Sequence, residues 1–513
     1  MSNAPDETSR RLGRSPLGAI GLLSLLYLLS RVASLDVLPV FLDEAVHIQW
    51  AERLYGEGRI LKPVGSGRLL AVAAYGAALP FEDRLFAARL VAVCAGALTL
   101  LATTLLASRI FGARAGLIAG LLYVLSPFAL VYDRLALSDG FLSAAIACLM
   151  LATWAVVHEP GHRPGHSHGA GFPMMVLFVA LAVVSKVSAV LYLPAVPLAV
   201  LTLSKAKVKD RRSGLRSIAL ALSAGLVLAS PMLWFFALNS GEISSQHVVD
   251  PARVSSVVLS TLSDMGQWVV SYFTPPVLMA ATLSFFLLRD GRALWLLVSV
   301  LLPFLLFAFL SQPWSARYVL PTLPPLLILT AGGVDAVATR LKTGSAWAAL
   351  GLALGICVPA LLFDRDLLVD PTRAPFPADD RLQFVTDWPS GYGVRELTLR
   401  LKREALSGPI TVYVDSGGLR TLPTSLAVLA GREASISLVE GDFASAEFRA
   451  AATAGAQGRT AFAIFGPRSP SFDFSSEWKE AVPERIEVYT RPGGSWAATL
   501  FRLRGRVAGR LGS

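Results

Sequence analysis

The chain reads as an α-helical polytopic membrane protein followed by a soluble α/β domain. Three observations predict this. Apolar runs of spanning length recur through the first 365 residues, positive charge collects in the loops between them, and the pattern then changes to short strand-like segments. The 513 residues are 54% hydrophobic and 16% charged, with a mean hydropathy of +0.57; soluble domains carry about 25% charged residues. A helix crossing ~30 Å of hydrocarbon needs about 20 apolar residues. The net charge of +10 does not point to nucleic acid, because Lys and Arg sit in short loops beside apolar runs, as the positive-inside rule describes.

Arg10, Arg11 and Arg14 precede the first run, residues 17–32, and place the N-terminus in the cytoplasm. This run reads as a retained signal anchor, since no small-residue cleavage site follows it. An external loop spans residues 34–83. Within it Val46, Ile48, Trp50, Ala51 and Leu54 fit a short helix at the membrane surface. Residues 69–79 are too short to cross and read as a second interfacial helix. Spans two to four are residues 85–108, 115–132 and 139–157, separated by the basic turn 109–114 and by Asp133-Arg134.

The loop holding His158, His162, His166 and His168 is rich in Gly and Pro. Its irregular spacing reads as a disordered loop in preference to a metal site. Spans five and six, residues 172–184 and 187–204, flank an external Ser185-Lys186. The densest basic cluster follows, with Lys205, Lys207, Lys209, Arg211 and Arg212. Spans seven to eleven are residues 215–238, 267–288, 293–310, 318–337 and 346–363. Eleven crossings put nearly every dense basic loop in the cytoplasm and the segment after Phe363 outside. Cys94, Cys148 and Cys357 all lie within apolar runs, so no disulfide framework is expected.

The transmembrane domain is therefore residues 1–365, with a first external loop at 34–83. An extracytoplasmic α/β domain occupies residues 371–513. In it Ile410-Thr411-Val412-Tyr413-Val414 and residues 460–465 read as buried strands, and residues 444–454 are compatible with a helix. It holds no phosphate-binding glycine loop.

This topology gathers Asp43, Glu44, Lys62, Asp133, Arg134, Asp139, Lys186, His247, Arg317 and Tyr318 on the external side, at the outer ends of spans. Ionisable residues at such positions point to function. Carboxylates beside several cations suit transfer of a sugar from a lipid-linked phosphate. A carboxylate can take the acceptor hydroxyl's proton, and Lys and Arg can stabilise the departing polyprenyl phosphate. Plainer roles compete. Asp43, Asp139 and especially Glu44 could cap helices, Lys186 and Arg317 could snorkel to headgroups, and His247 could be an ordinary loop histidine.

From Asp43 to about Pro194 the chain resembles the GT-C superfamily, in particular its protein O-mannosyltransferase and aminoarabinose-transferase group. The pieces are Asp43-Glu44, Lys62-Pro63, Arg89-Leu90, the turn from Arg109 to Gly116, Leu125-Ser126-Pro127, the stretch from Tyr132 to Asp139, and Ser185-Lys186. Arg317-Tyr318 with Pro321, Pro324 and Pro325 resembles a later element. Their order and spacing carry the likeness.

The resemblance implies an extracytoplasmic, inverting glycosyltransferase in a cell inner or plasma membrane. Asp43, with Glu44 beside it, would be catalytic. Lys62, Arg134, Asp139, Lys186, Arg317 and Tyr318 would bind lipid phosphate and substrate. The implied partners are a polyprenyl-phosphate-sugar donor, a lipid, glycan or protein acceptor, and membrane lipids, with no nucleic acid. The chain departs from the aminoarabinose branch in having Val46-His47 where that branch carries Arg-Tyr, and Leu61 where it carries Glu. No cofactor is fixed, a divalent metal stays open, and His247 is its one weak candidate ligand.

Two rival classes make distinct demands. A secondary transporter would show inverted repeats with broken helices at matching places, and none is evident. A membrane-anchored envelope assembly protein would act through its C-terminal domain and tolerate loss of Asp43.

Overall fold

The computed structural model describes residues 16–60, 66–158, 170–203, 208–239, 254–310, 315–341, 346–416, 421–431, 433–456, 460–466 and 481–505. It is mostly helical, with a small sheet near the C-terminus. The chain divides into two compact units. The first comprises Met1–Leu35, Arg59–Ala74 and Arg89–Pro377; the second comprises Asp36–Gly58, Tyr75–Ala88 and Ala378–Ser513.

The first unit is a helical bundle of a multi-pass membrane protein. All eleven expected runs fall on helices. By length and composition, however, five described helices qualify as spans, or seven if each of two bent pairs is one crossing. Part of the difference lies in length, since Pro16–Val32 has 17 residues and Gly171–Ser185 has 15, and part in interruptions that hydropathy does not register. Pro127 opens a new short helix, Pro127–Tyr132, behind Ala113–Val124. Residues Val187–Leu191 form a 3₁₀ turn before Ala195–Leu203. Pro275 and Pro276 start a fresh helix after Val254–Phe273, and Thr274 at φ 59° turns the chain, giving a 97° bend. Proline lacks the N–H a continuing helix needs and clashes with the preceding turn. The pair Ala346–Ile356 and Val358–Val369 bends by 58°.

Large apolar side chains such as Leu220, Val227 and Trp234 on Val208–Asn239 and Leu259 on Val254–Phe273 are exposed. Aqueous exposure of such helix faces would be costly, and hydrocarbon is the solvent that suits them.

The second unit is built on a five-stranded sheet in the order β2-β1-β3-β5-β4. Here β1 is Ile410–Asp415, β2 Ile436–Gly441, β3 Thr460–Phe465, β4 Ala481–Thr490 and β5 Trp496–Gly505. β2, β1 and β3 are parallel, while β5 runs antiparallel to both β3 and β4. Val412 and Val414 of β1, Phe462 and Ile464 of β3 and Leu500 of β5 face one apolar layer, completed by Val394, Leu397 and Leu401 from helix Val394–Ala405. Those three residues follow the i, i+3, i+7 spacing of one helix face. The two strands read from sequence are β1 and β3, and residues 444–454 fall largely within helix Ala446–Ala456.

The first-loop helix, Leu42–Glu57, belongs to this second unit and packs on helix Thr421–Ala430. Gly58, at φ 66°, ends it in the left-handed conformation that suits glycine. Arg84, the first residue of helix Arg84–Phe111, forms an ion pair with Glu52.

Candidate active site

Asp139 stands in the first turn of helix Ser138–His158, and Lys186 follows helix Gly171–Ser185 in extended conformation. These two helices pack side by side. Lys186 Nζ thereby reaches Asp139 Oδ1 at 2.6 Å, with both side chains buried. Burying a charged pair is tolerated only where geometry and further polar contacts compensate the lost hydration. Such contacts are present. Lys186 Nζ lies 4.0 Å from the centre of the Tyr318 ring, an attractive cation–π distance. Arg317 is 2% exposed, and its guanidinium lies 5.9 Å from the centre of the same ring.

The 3₁₀ segment Ala316–Thr322 supplies Arg317 and Tyr318. The Tyr192 hydroxyl donates to the Tyr318 carbonyl, and Tyr132 and Ser315 hydroxyls lie 3.4 Å apart. Lys186 and Arg317 thus both lie by the Tyr318 ring, at 4.0 and 5.9 Å from its centre, and Lys186 pairs with Asp139, a group assembled from segments spread over residues 139–318.

A second buried network lies in the same unit. Tyr27 and Tyr123 donate to Asp133, each at 3.1 Å to Oδ2. Arg31 Nε is 3.8 Å from Asp133 Oδ2, and Arg31 donates to the Val124 and Tyr123 carbonyls at 2.8 and 3.2 Å. Arg134 donates to the carbonyls of Ala33 and Ser34, and Arg89 donates to that of Leu35 at 2.9 Å. Arginines therefore grip the backbone where the first span ends and the first loop begins.

Gly96 is needed here. A Cβ on it would fall 2.1 Å from the Tyr27 hydroxyl and 2.4 Å from Asp133 Cγ. Gly96→Ala is expected to destabilise the protein by about 1–3 kcal/mol through overpacking, read as a lowered thermal midpoint in detergent. An unchanged midpoint would show that the network yields without cost.

On the first-loop helix, Glu44 is fully buried and its Oε2 accepts from the Phe41 N–H at 3.0 Å. That is the reciprocal half of a capping box, the role its place in the first turn suggested. Asp43, one residue earlier, is half-buried. His47 is buried and stacks on Tyr75, centroids 6.1 Å apart.

The structure brings Asp139, Lys186, Arg317 and Tyr318 together and sets Arg134 in the neighbouring backbone-gripping network. Asp43 and Glu44 lie in the other unit. Lys62, His247 and the histidines at 162, 166 and 168 lie outside the described residues. Among the described residues, no group of three or more His, Cys, Asp or Glu is placed to hold a metal ion.

Sequence reasoning missed Arg68, although a cation six residues beyond Lys62 and just before an apolar helix was a usable signal. It also passed over Arg31, a charge inside the last turn of an apolar run.

The chain matches the family described as dolichyl-phosphate-mannose-protein mannosyltransferase over residues 70–235. Comparison with curated proteins gives no match. Among solved structures, ArnT from Cupriavidus metallidurans bound to undecaprenyl phosphate is similar with a TM-score of 0.59 at 15% identity, over 95% of this chain and 97% of ArnT. The chain has the GT-C glycosyltransferase fold.

Apo ArnT from the same organism gives a GT-C match with a TM-score of 0.58 at 16% identity, over 95% and 98% of the two chains. The Archaeoglobus fulgidus oligosaccharyltransferase in complex with Zn and sulfate gives 0.51 at 14%, over 94% of this chain and 72% of that one. The family match takes in Asp133, Arg134, Asp139 and Lys186. Asp43, Arg68 and Arg317 fall outside it, so their places in the GT-C fold rest on the structure alone.

Proposed function

We propose that this protein is a membrane glycosyltransferase that moves a sugar from a polyprenyl-phosphate donor to a lipid, glycan or protein acceptor on the extracytoplasmic face. The observation that carries the reading is the buried pair of Lys186 and Asp139 beside the Tyr318 ring, which buried Arg317 also approaches. Buried Lys186 and Arg317, with Arg68 joining them in the reading, suit an incoming phosphate, which each can meet with a charge-assisted hydrogen bond. Lys62, one loop turn from Arg68 in sequence, joins this group in the reading. Tyr318 orients Lys186 through its ring, and Arg134 fixes the backbone from which the first loop starts. ArnT, similar over its whole length, was solved with undecaprenyl phosphate bound, which supports the donor class.

Chemistry follows from the charges. Asp43 accepts the proton of the acceptor hydroxyl as that oxygen bonds to the sugar's anomeric carbon. The bond from the anomeric carbon to the phosphate oxygen breaks on the opposite side, and polyprenyl phosphate leaves with the bonding electrons. Its added negative charge is stabilised by the cations, the contribution that is usually largest. One direct displacement inverts the anomeric configuration.

In this reading residues 1–365 form the membrane domain with the loop 34–83, and residues 371–513 the extracytoplasmic domain, in an inner or plasma membrane with the N-terminus cytoplasmic. Cells lacking the chain should accumulate one polyprenyl-phosphate sugar, identified by mass spectrometry of lipid extracts. An unchanged pool of lipid-linked sugars would contradict the proposal.

A further inference from the structure

The C-terminal domain holds the start of the helix that carries Asp43. Leu42 N–H donates to the Pro389 carbonyl at 3.1 Å, and Phe41 pairs with Ser390 in an antiparallel bridge. The Phe41 and Phe384 rings meet edge to face with centroids 5.1 Å apart. Leu42 is the first residue of the helix and Asp43 the second.

The partner segment is itself fixed. Ser390 is 1% exposed, and its hydroxyl donates to the Phe384 carbonyl at 2.9 Å. The Arg491 guanidinium, 6% exposed, donates to the Ser390 carbonyl at 3.4 Å and to that of Trp496 at 2.5 Å. Arg491 follows β4 and Trp496 opens β5, so the anchor runs from the sheet's antiparallel hairpin to the N-terminus of the Asp43 helix.

Gly391 allows the approach. A Cβ there would lie 2.2 Å from the Val40 carbonyl oxygen and 2.6 Å from its Cγ1, and a backbone atom cannot swing aside as a side-chain tip can.

We propose that the C-terminal domain is a positioning element for the catalytic helix, acting through the bridge between Phe41 and Ser390, with Gly391 and Arg491 as positioning residues. This rests on the reading of Asp43 as the base. Reacting groups must be held in near-attack geometry, and a displacement of about 1 Å can cost about 10²-fold in rate. The domain's junction with the first loop would then set turnover while leaving the donor's phosphate contacts, which come from other segments, unchanged.

Gly391→Ala is the probe, assayed on the full-length protein in detergent with a polyprenyl-phosphate sugar donor and membrane lipid extract. The expected result is a fall in kcat of about 10-fold or more, up to the 10²-fold scale of misplacement, with the donor KM unchanged. Gly455→Ala is the control. Its Cβ would meet the Tyr413 hydroxyl at 2.1 Å within the same domain, far along the chain from the bridge. It should lower the thermal midpoint and leave kcat per folded molecule near wild type.

If Gly391→Ala does not accumulate, Ser390→Ala, which adds no atoms, should show the same split of kcat from KM. Wild-type kcat in the folded Gly391 or Ser390 variant, with Asp43→Asn inactive, would overturn the positioning role and leave the Asp43 reading standing. Equal loss of kcat in the Gly455 control would also overturn it. Activity in Asp43→Asn would instead remove the reading beneath it.

Discussion

Asp43→Asn should lower sugar transfer by about 10²–10⁴-fold, the range a positioned general base contributes, while the protein inserts and folds at wild-type level. The amide matches the carboxylate in size but cannot take the acceptor's proton. Folding should survive because the helix start is capped by the neighbouring residue: Glu44 Oε2 holds the Phe41 N–H. Glu44→Gln gives the complementary result. It should cost about 1 kcal/mol in stability, the usual scale for a weakened cap, with turnover per folded molecule close to wild type. Turnover of a radiolabelled polyprenyl-phosphate sugar, normalised to folded protein by size-exclusion, checks both. The reverse pattern would assign the base to Glu44.

Lys186→Met should weaken donor binding by about 10- to 100-fold, since a hydrogen bond to a charged group contributes about 1.5–3 kcal/mol. Removing one partner of a buried pair ordinarily costs about 3–5 kcal/mol, because the other charge is orphaned. Here Arg317 remains beside the Tyr318 ring that Lys186 contacts, so a cation is kept close to the vacated position and the variant should fold. Asp139→Asn should act in the opposite direction on the phosphate. It leaves the cations with less internal compensation, so donor KM should hold or fall while kcat drops as Lys186 loses its 2.6 Å anchor. Steady-state kinetics over a donor concentration series separates the two. Identical effects on KM in both variants would contradict an anion site.

The membrane character and the C-terminal α/β domain were legible because both rest on local pattern. Long apolar runs require helices where no water can satisfy the backbone, and β1 and β3 are short, mostly apolar and β-branched or aromatic segments. The break inside one apolar run was not legible, because Pro275 and the turn at Thr274 interrupt helices whose hydropathy is continuous. β4 and β5 escaped because Glu484, Arg485, Glu487, Arg502 and Arg504 interrupt their apolar pattern, and β4 bulges between Arg485 and Glu487.

At the site, alternation of spans puts Asp139, Lys186, Arg317 and Tyr318 on one side, and the structure groups them. The pairing of Lys186 with Asp139 was not legible, because a 2.6 Å contact across 47 residues depends on how two helices pack. Arg134 shows the limit most clearly. Its charge marked it for a phosphate, and nothing local in the sequence foretold its hydrogen bonds to the carbonyls of Ala33 and Ser34. The union of residues 36–58 with the C-terminal domain had no local signature at all, being carried by the backbone atoms of Leu42 and Pro389.

The most direct test of the cation group is equilibrium binding of a polyprenyl phosphate to the purified protein, measured beside the matching polyprenol that lacks the phosphate. The account predicts that the wild type prefers the phosphate by at least about 10-fold, the scale of one charge-assisted hydrogen bond, and that Lys186→Met and Arg317→Gln each erase most of that preference. Equal affinity for the two lipids, or a preference untouched by both substitutions, would mean that these buried cations serve the bundle and not a substrate.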